Sequence, residues 1–199
     1  MVSAPPHGMD RYRASVSYDG GPFHGFAENP GVETVAGKLR ESLEKIIGHK
    51  IHLTCAGRTD AGVHAEGQII SFDAETFDIE KIERSLNKLC APSITVRDLQ
   101  KTNDLFNARF SATSRTYRYR ILNDDYPDPF SHRFAWYIQT QLDIDSMQRA
   151  AQAVVGEHDF SSFCRKATIL VDGKEEEASL IREVISITVK NEGPFVEIW

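Results

Sequence analysis

The stretch R-Y-R-A-S-V-S-Y-D-G-G-P, Arg11 to Pro22, decides the fold. Tyr12, Ala14, Val16 and Tyr18 recur with a period of two and so share one face of a strand, and Asp19-Gly20-Gly21-Pro22 is turn chemistry that ends it. A strand with one apolar face must be covered from that side, and the cover follows directly. In T-V-A-G-K-L-R-E-S-L-E-K-I-I-G, Thr34 to Gly48, Val35, Leu39, Leu43, Ile46 and Ile47 stand at helical spacing and Gly48 is a natural stop. I-H-L-T-C-A predicts a short strand ending at Gly57, and G-Q-I-I-S-F another after a glycine-flanked loop. A second helix is expected from Asp78 as N-cap, with Ile79, Ile82, Leu86 and Leu89 on one side, ending before Pro92. I-T-V-R-D-L closes the series as a strand. The order β-α-β-β-α-β is an α+β sandwich with helices on one sheet face.

The second half begins in the same way. From Thr113 to Leu122 a period of two puts Arg115, Tyr117, Tyr119 and Ile121 on one face and Thr116, Arg118 and Arg120 on the other. D-D-Y-P-D-P reads as a loop. A third helix is expected from about Asp145, with Met147, Ala151, Val154 and Val155 apolar and Gly156 ending it. I-R-E-V-I-S-I-T-V reads as a strand, N-E-G-P as a turn and F-V-E-I-W as a further strand. The domain reading is a tail over 1–9, an N-terminal α/β half with the informative loop over 10–108, and a C-terminal half over 109–199. The last strand stops at Trp199 in mid-alternation, so the second half reads as truncated.

The chain has 199 residues, 41% of them hydrophobic and 26% charged, which excludes a disordered tail. No long uncharged apolar run is present, so no membrane span is expected. The first nine residues lack a basic n-region and an apolar h-region, so no secretory signal is expected either. Cys55, Cys90 and Cys164 are scattered and form no C-x-x-C, which points to reduced thiols in a cytoplasmic protein. His49, His52 and His64 do not make a metal set, and no metal is expected. A net charge of -6 argues against a non-specific nucleic-acid binder, but it is unevenly spread. Residues 1–122 carry 16 basic and 15 acidic side chains, and residues 123–199 carry 7 and 14. Within 97–122, Arg97, Lys101, Arg109, Arg115, Arg118 and Arg120 face only Asp98 and Asp104.

The segment C-A-G-R-T-D-A-G-V-H-A, Cys55 to Ala65, carries the chemistry. Gly57 and Gly62 bracket Arg58, Thr59 and Asp60, and glycine permits left-handed backbone and close approach of another molecule. The loop reads either as a tight inter-strand turn with exposed charges or as a reactive carboxylate on a rigid turn. In the second reading the carboxylate is a nucleophile or base, and the arginine two residues away holds phosphate or a base edge.

G-R-T-D-A-G-V-H-A resembles the catalytic motif of the tRNA pseudouridine synthase A family. S-Y-D-G-G-P-F-H-G-F resembles the family's first-strand segment and T-V-A-G-K-L-R-E-S-L its first helix. L-N-K-L-C-A-P-S-I-T-V and F-N-A-R-F-S-A-T-S-R-T-Y-R-Y-R-I fit its middle, and G-E-H-D-F-S-S-F and I-R-E-V its second half. The resemblance runs in unbroken order from Tyr12 to Trp199. It implies two related ferredoxin/RRM-like halves joined into one extended, mostly antiparallel sheet, with helices on one face and a central cleft. It also implies an isomerase that acts on uridines of the tRNA anticodon arm without a cofactor, and a homodimer in its full-length form. Asp60 corresponds to the family's catalytic aspartate, which attacks either C6 of the base or C1′ of the ribose, or assists proton removal there. Arg58 corresponds to an arginine that draws the target base from the stack, Tyr117 to a tyrosine packed against the flipped base, and Arg109 to a position beside the RNA path. Thr59 and His64 complete the substrate-contacting set, although a loop histidine is more often a hydrogen-bonded spacer.

The chain departs from the family pattern in places. Phe26, Ala27 and Glu28 follow Gly25 where tryptophan, glutamine and arginine are common, and an acidic residue there weakens phosphate contact. Asn107 stands where histidine is usual, and the family's later Met-Val-Arg segment does not occur within these residues. Two readings from other classes stand beside the isomerase: an RNA-binding module without catalysis, and a ferredoxin-like domain for a small metabolite. The Arg/Tyr-rich run from Arg109 to Arg120 speaks against the metabolite.

Overall fold

The alternating apolar residues after Asp10 form a nine-residue strand, β1 (Asp10–Tyr18), in which Tyr12, Ala14, Val16 and Tyr18 are all buried. The computed structural model describes residues 2–163, 168–171, 174–177 and 179–199, and the chain divides into two units between Arg115 and Thr116. After β1 the first unit continues with α1 (Val35–Ile47), β2 (Thr54–Cys55), β3 (Ala65–Ala74), α2 (Ile79–Cys90) and β4 (Ile94–Lys101). Its sheet has the order β2-β3-β1-β4 with every pairing antiparallel. This is the β-α-β-β-α-β order that the apolar spacing predicts.

Both helices are bounded by local chemistry. Thr34 Oγ1 accepts from the Gly37 amide at 3.2 Å, and Gly48 closes α1 in the left-handed region at φ 92°. Asp78 caps α2 by accepting from the Lys81 amide at 3.1 Å. Val35, Leu39 and Leu43 of α1 and Ile82 and Leu86 of α2 join one core with the inward residues of β1, β3 and β4. Both helices therefore cover the same sheet face. On the other face, residues after β4 cross the sheet: Ala108 is buried and its amide donates to Ser71 Oγ at 3.1 Å. The strand expected over Ile51 to Ala56 contracts to two residues, because the Ile51 amide is taken by the Glu44 carboxylate and pairing begins only at Thr54.

The second unit contains β5 (Tyr119–Asn123), β6 (Trp136–Ile138), α3 (Ile144–Gln152), β7 (Gly156–Asp159), β8 (Thr168–Val171), β9 (Lys174–Glu177), β10 (Ile181–Val184), β11 (Val189–Glu192) and β12 (Phe195–Ile198). A four-stranded sheet has the order β11-β12-β5-β6, in which only β5 and β6 are parallel, while β7 pairs with β10 and β8 with β9. The α+β class is thus present in both units.

Three further boundaries differ from expectation. The strand read over Thr113 to Leu122 begins only at Tyr119, where β12 supplies partners; Arg115 and Tyr117 lie before it, so the alternation does not place them on a strand face. The third helix is capped by Asp143, which accepts from the Ser146 amide at 2.9 Å, and ends at Gln152. Its next amides, from Ala153 to Val155, reach back three residues instead of four, and Gly156 at φ 108° opens β7. The run Ile181 to Val189 serves two sheets, β10 pairing with β7 and β11 with β12. Cys55 and Cys90 are free thiols, while Cys164 lies outside the described residues. No helix among the described residues is long and apolar enough to cross a membrane.

Candidate active site

The loop from Ala56 to His64 links β2 to β3, and backbone contacts from the segment after β1 give it its shape. The Phe26 amide donates to the Thr59 carbonyl at 3.0 Å, and Val63 closes a turn onto the Asp60 carbonyl at 3.2 Å. Gly20 is required: a Cβ there would lie 2.1 Å from the Val63 carbonyl oxygen. Gly25 is required for a second reason, since its φ of 91° is left-handed and a Cβ would meet the Thr59 carbonyl at 3.0 Å.

Side chains complete the frame. The Tyr18 hydroxyl and Thr59 Oγ1 lie 2.8 Å apart, and burial pushes the Tyr18 hydroxyl pKa up while its bonds to Thr59 and Gln68 pull it back. The Gln68 carboxamide faces Gly57, accepting from its amide at 3.2 Å and donating to its carbonyl at 2.5 Å. Arg115 donates from Nε and Nη2 to the Ala56 carbonyl at 3.2 and 2.5 Å, and its side chain occupies the space beside Gly57. His64 Nδ1 accepts from the Gly20 amide at 3.1 Å and lies 3.1 Å from Asp19 Oδ1.

Within this frame Arg58 and Asp60 are exposed, while Thr59 between them turns inward. Among the described residues, the Arg58 guanidinium and the Asp60 carboxylate make no side-chain hydrogen bond or ion pair, either with each other or with a neighbour. An exposed carboxylate on a backbone fixed at both flanks can meet a substrate without first losing a partner. The surroundings are cationic. Burial pushes the Cys55 thiol up, and Arg58, Arg109 and Arg115 all stand near enough to oppose that shift. Three guanidinium groups therefore lie around the root of the loop, a field suited to a polyanion.

Arg109 is exposed on a turn organised by Asn107, whose Oδ1 accepts from the Arg109 and Phe110 amides at 3.0 and 3.2 Å. The residue that departs from the family's histidine thus shapes the turn that presents Arg109. Glu28, the other departure, is held by Arg40 Nε at 2.9 and 3.0 Å, so its charge is matched within the fold. Phe26 is buried beside Tyr18, with ring centroids 5.9 Å apart.

The structure therefore brings Arg58, Thr59, Asp60, His64 and Arg109 into the first unit. Tyr117 belongs to the second, where it is 68% exposed. Tyr119 is also exposed. Arg118 and Arg120 approach the buried Glu197 carboxylate at 3.8 and 3.3 Å, and Arg120 lies over the Phe195 ring. Sequence reasoning missed Tyr18, Gln68 and Arg115 as supports of the loop. The glycines at 20 and 25 are the signal in the sequence that another backbone passes close by.

Residues 14–111, which hold the loop and the Arg109 turn, match a family model described as tRNA pseudouridine synthase. A protein named tRNA pseudouridine synthase A from Brevibacillus brevis is 39% identical over 192 residues, covering 96% of this chain and 75% of the relative. One of the same name from Bacillus sp. strain KSM-64 is 34% identical, over 96% of this chain and 76% of its own length. A Listeria innocua protein of that name is 39% identical over 182 residues, 90% of this chain and 70% of the relative. Matches of this extent reach well past the loop, through both units, and the chain belongs to the tRNA pseudouridine synthase A family, a family of isomerases.

Proposed function

We propose that this protein converts uridine to pseudouridine in the anticodon arm of tRNA, with Asp60 as its catalytic residue. The observation that carries the reading is the Arg58-Thr59-Asp60 turn. Thr59 is anchored inward, while a guanidinium and a carboxylate without partners among the described residues face solvent on either side of it.

The reaction is an isomerisation. The bond between N1 and C1′ breaks, the uracil turns in place, and a bond between C5 and C1′ forms. C5 gives up its proton, N1 takes one, and no electrons are exchanged with a second substrate. Asp60 acts at C6 or C1′, or on the proton that leaves. Arg58 supports the extruded nucleotide, whose lost stacking costs a few kcal/mol that the pocket must repay. The family resemblance supports Arg109 as a phosphate contact along the RNA and Tyr117 as the residue that packs on the flipped base, while Thr59, bonded to Tyr18, and His64, bonded to the Gly20 amide, brace the turn that presents Arg58 and Asp60. The family resemblance supports action in the cytoplasm as a homodimer, each subunit helping to hold the tRNA bound at the other.

Incubating the chain with unmodified tRNA and mapping pseudouridine in the anticodon arm tests this reading. Asp60→Ala is expected to lower the rate by about 10²–10⁴, the usual span for a group that acts directly in proton transfer, while tRNA retention on a filter stays near wild type. Product formation by Asp60→Ala at the wild-type rate would overturn the assignment. Equal tRNA retention with no product from either protein would identify an RNA-binding module instead.

A further inference from the structure

The Gln68 carboxamide pairs with both backbone groups of one glycine, three residues before Asp60. We infer that Gln68 is a positioning residue for Asp60, fixing the Gly57 peptide from which the catalytic loop departs; this rests on the function proposed above. The regular ladder between β2 and β3 ends with Thr54↔Ser71 and Cys55↔Ile70, followed by the Ala56 amide bonded to the Ile69 carbonyl at 2.9 Å. At the next position the chains separate, and a side chain takes over the pairing. Gln68 Oε1 accepts from the Gly57 amide and Nε2 donates to the Gly57 carbonyl, so a primary amide supplies one more rung.

The chemistry of the rung is selective. A carboxylate keeps the acceptor but sets a negative charge against the Gly57 carbonyl. An aliphatic side chain of the same size leaves both groups unmatched. Asparagine is one methylene short. Gly57 is held on its other side by Arg115, whose Nε would lie 3.1 Å from a Cβ on that residue. Gln68 also reaches the Tyr18 hydroxyl, which holds Thr59 next to Asp60. One side chain thus ties together the start of the loop and the residue beside the catalytic carboxylate. A displacement of about 1 Å at a reacting group costs on the order of 10²-fold in rate, so the loss of such a tether is visible in kinetics before it is visible in folding.

The test compares the full chain with Gln68→Leu and Gln68→Glu, using unmodified tRNA, single-turnover rates at saturating protein, tRNA binding constants and thermal melting. The expected result for Gln68→Leu is a rate lowered by about 10–100-fold, with tRNA affinity and melting temperature close to wild type. Gln68→Glu is expected to match that loss at neutral pH and to recover, relative to wild type at the same pH, as pH falls toward the ordinary glutamate range of about 4–5. Protonation there restores a donor to the Gly57 carbonyl. A wild-type rate in Gln68→Leu, or an affinity loss as large as the rate loss, would overturn the positioning role. So would a Gln68→Glu profile parallel to wild type. If the wild type itself makes no pseudouridine, the functional reading falls and this role falls with it; product from wild type and Gln68→Leu alike removes only the role.

Discussion

A guanidinium taken out of water needs its donors met, and Arg11, 7% exposed, meets them within the fold. Nε and Nη2 donate to the two Asp73 oxygens at 2.8 and 2.9 Å, and Nη1 reaches the Asp104 and Phe106 carbonyls at 2.6 and 3.0 Å. Nη2 also reaches the Ser3 carbonyl at 3.1 Å. The residue therefore joins β1 and β3 to the segment that leads to Arg109. Arg11→Ala leaves Asp73 and three carbonyls without their donor. It is expected to destabilise the protein by about 3 kcal/mol, the low end for a broken buried pair because Asp73 keeps some contact with water. Urea unfolding measures this, and a loss below about 1 kcal/mol would show that water replaces Arg11 readily. In the sequence the period of two puts Arg11 on the face opposite Tyr12, and nothing beside it marks a partner. Its partners lie 62 and 93 residues away, and no local pattern encodes them.

At the scale of elements, legibility followed the range of the forces involved. The helices α1 and α2 were readable because their caps and apolar spacing are contained in the helix and its flanks. Asp78 was read as the cap of α2, and the structure adds Thr34 as that of α1: it is 3% exposed, and its hydroxyl satisfies an amide of the first turn. Thr34→Ala is expected to cost about 1 kcal/mol, read from the shift in a chemical-denaturation midpoint, and Thr34→Ser to retain most of it. An alanine variant as stable as wild type would mean that another group caps α1. Strand extents were less legible, because pairing needs a partner that alternation cannot supply. Arg115 shows why: its side chain is committed to Ala56, 59 residues earlier, while the ladder of β5 starts four residues later. The candidate site divides the same way. Arg58 and Asp60 were found because they share a loop with two glycines, whereas the Tyr18–Thr59 contact spans 41 residues and left no mark.

For the molecule as a whole, four carboxylates among the described residues are held below their ordinary pKa, each for a local reason. Lys101 lowers Asp10, the Ile51 amide lowers Glu44, the Phe130 amide lowers Asp128 and the Ser146 hydroxyl lowers Asp143. A group with a depressed folded pKa stabilises the fold above its unfolded value, and that contribution disappears as pH falls through the folded value. The melting temperature is therefore expected to hold between pH 7 and about 5 and to drop as pH falls from about 4.5 to 3. A midpoint that stays level through that acid window would contradict the assignment. The close passage of Gly20 against the Val63 carbonyl has a different kind of consequence. Where two main chains touch, no series of slightly larger side chains leads from one working loop to another. Inherited variation in this enzyme is thus barred from adjusting the loop at that position by small steps. Small-step variation is left to positions where side chains face open space, as on the Asn107–Ser111 turn that presents Arg109.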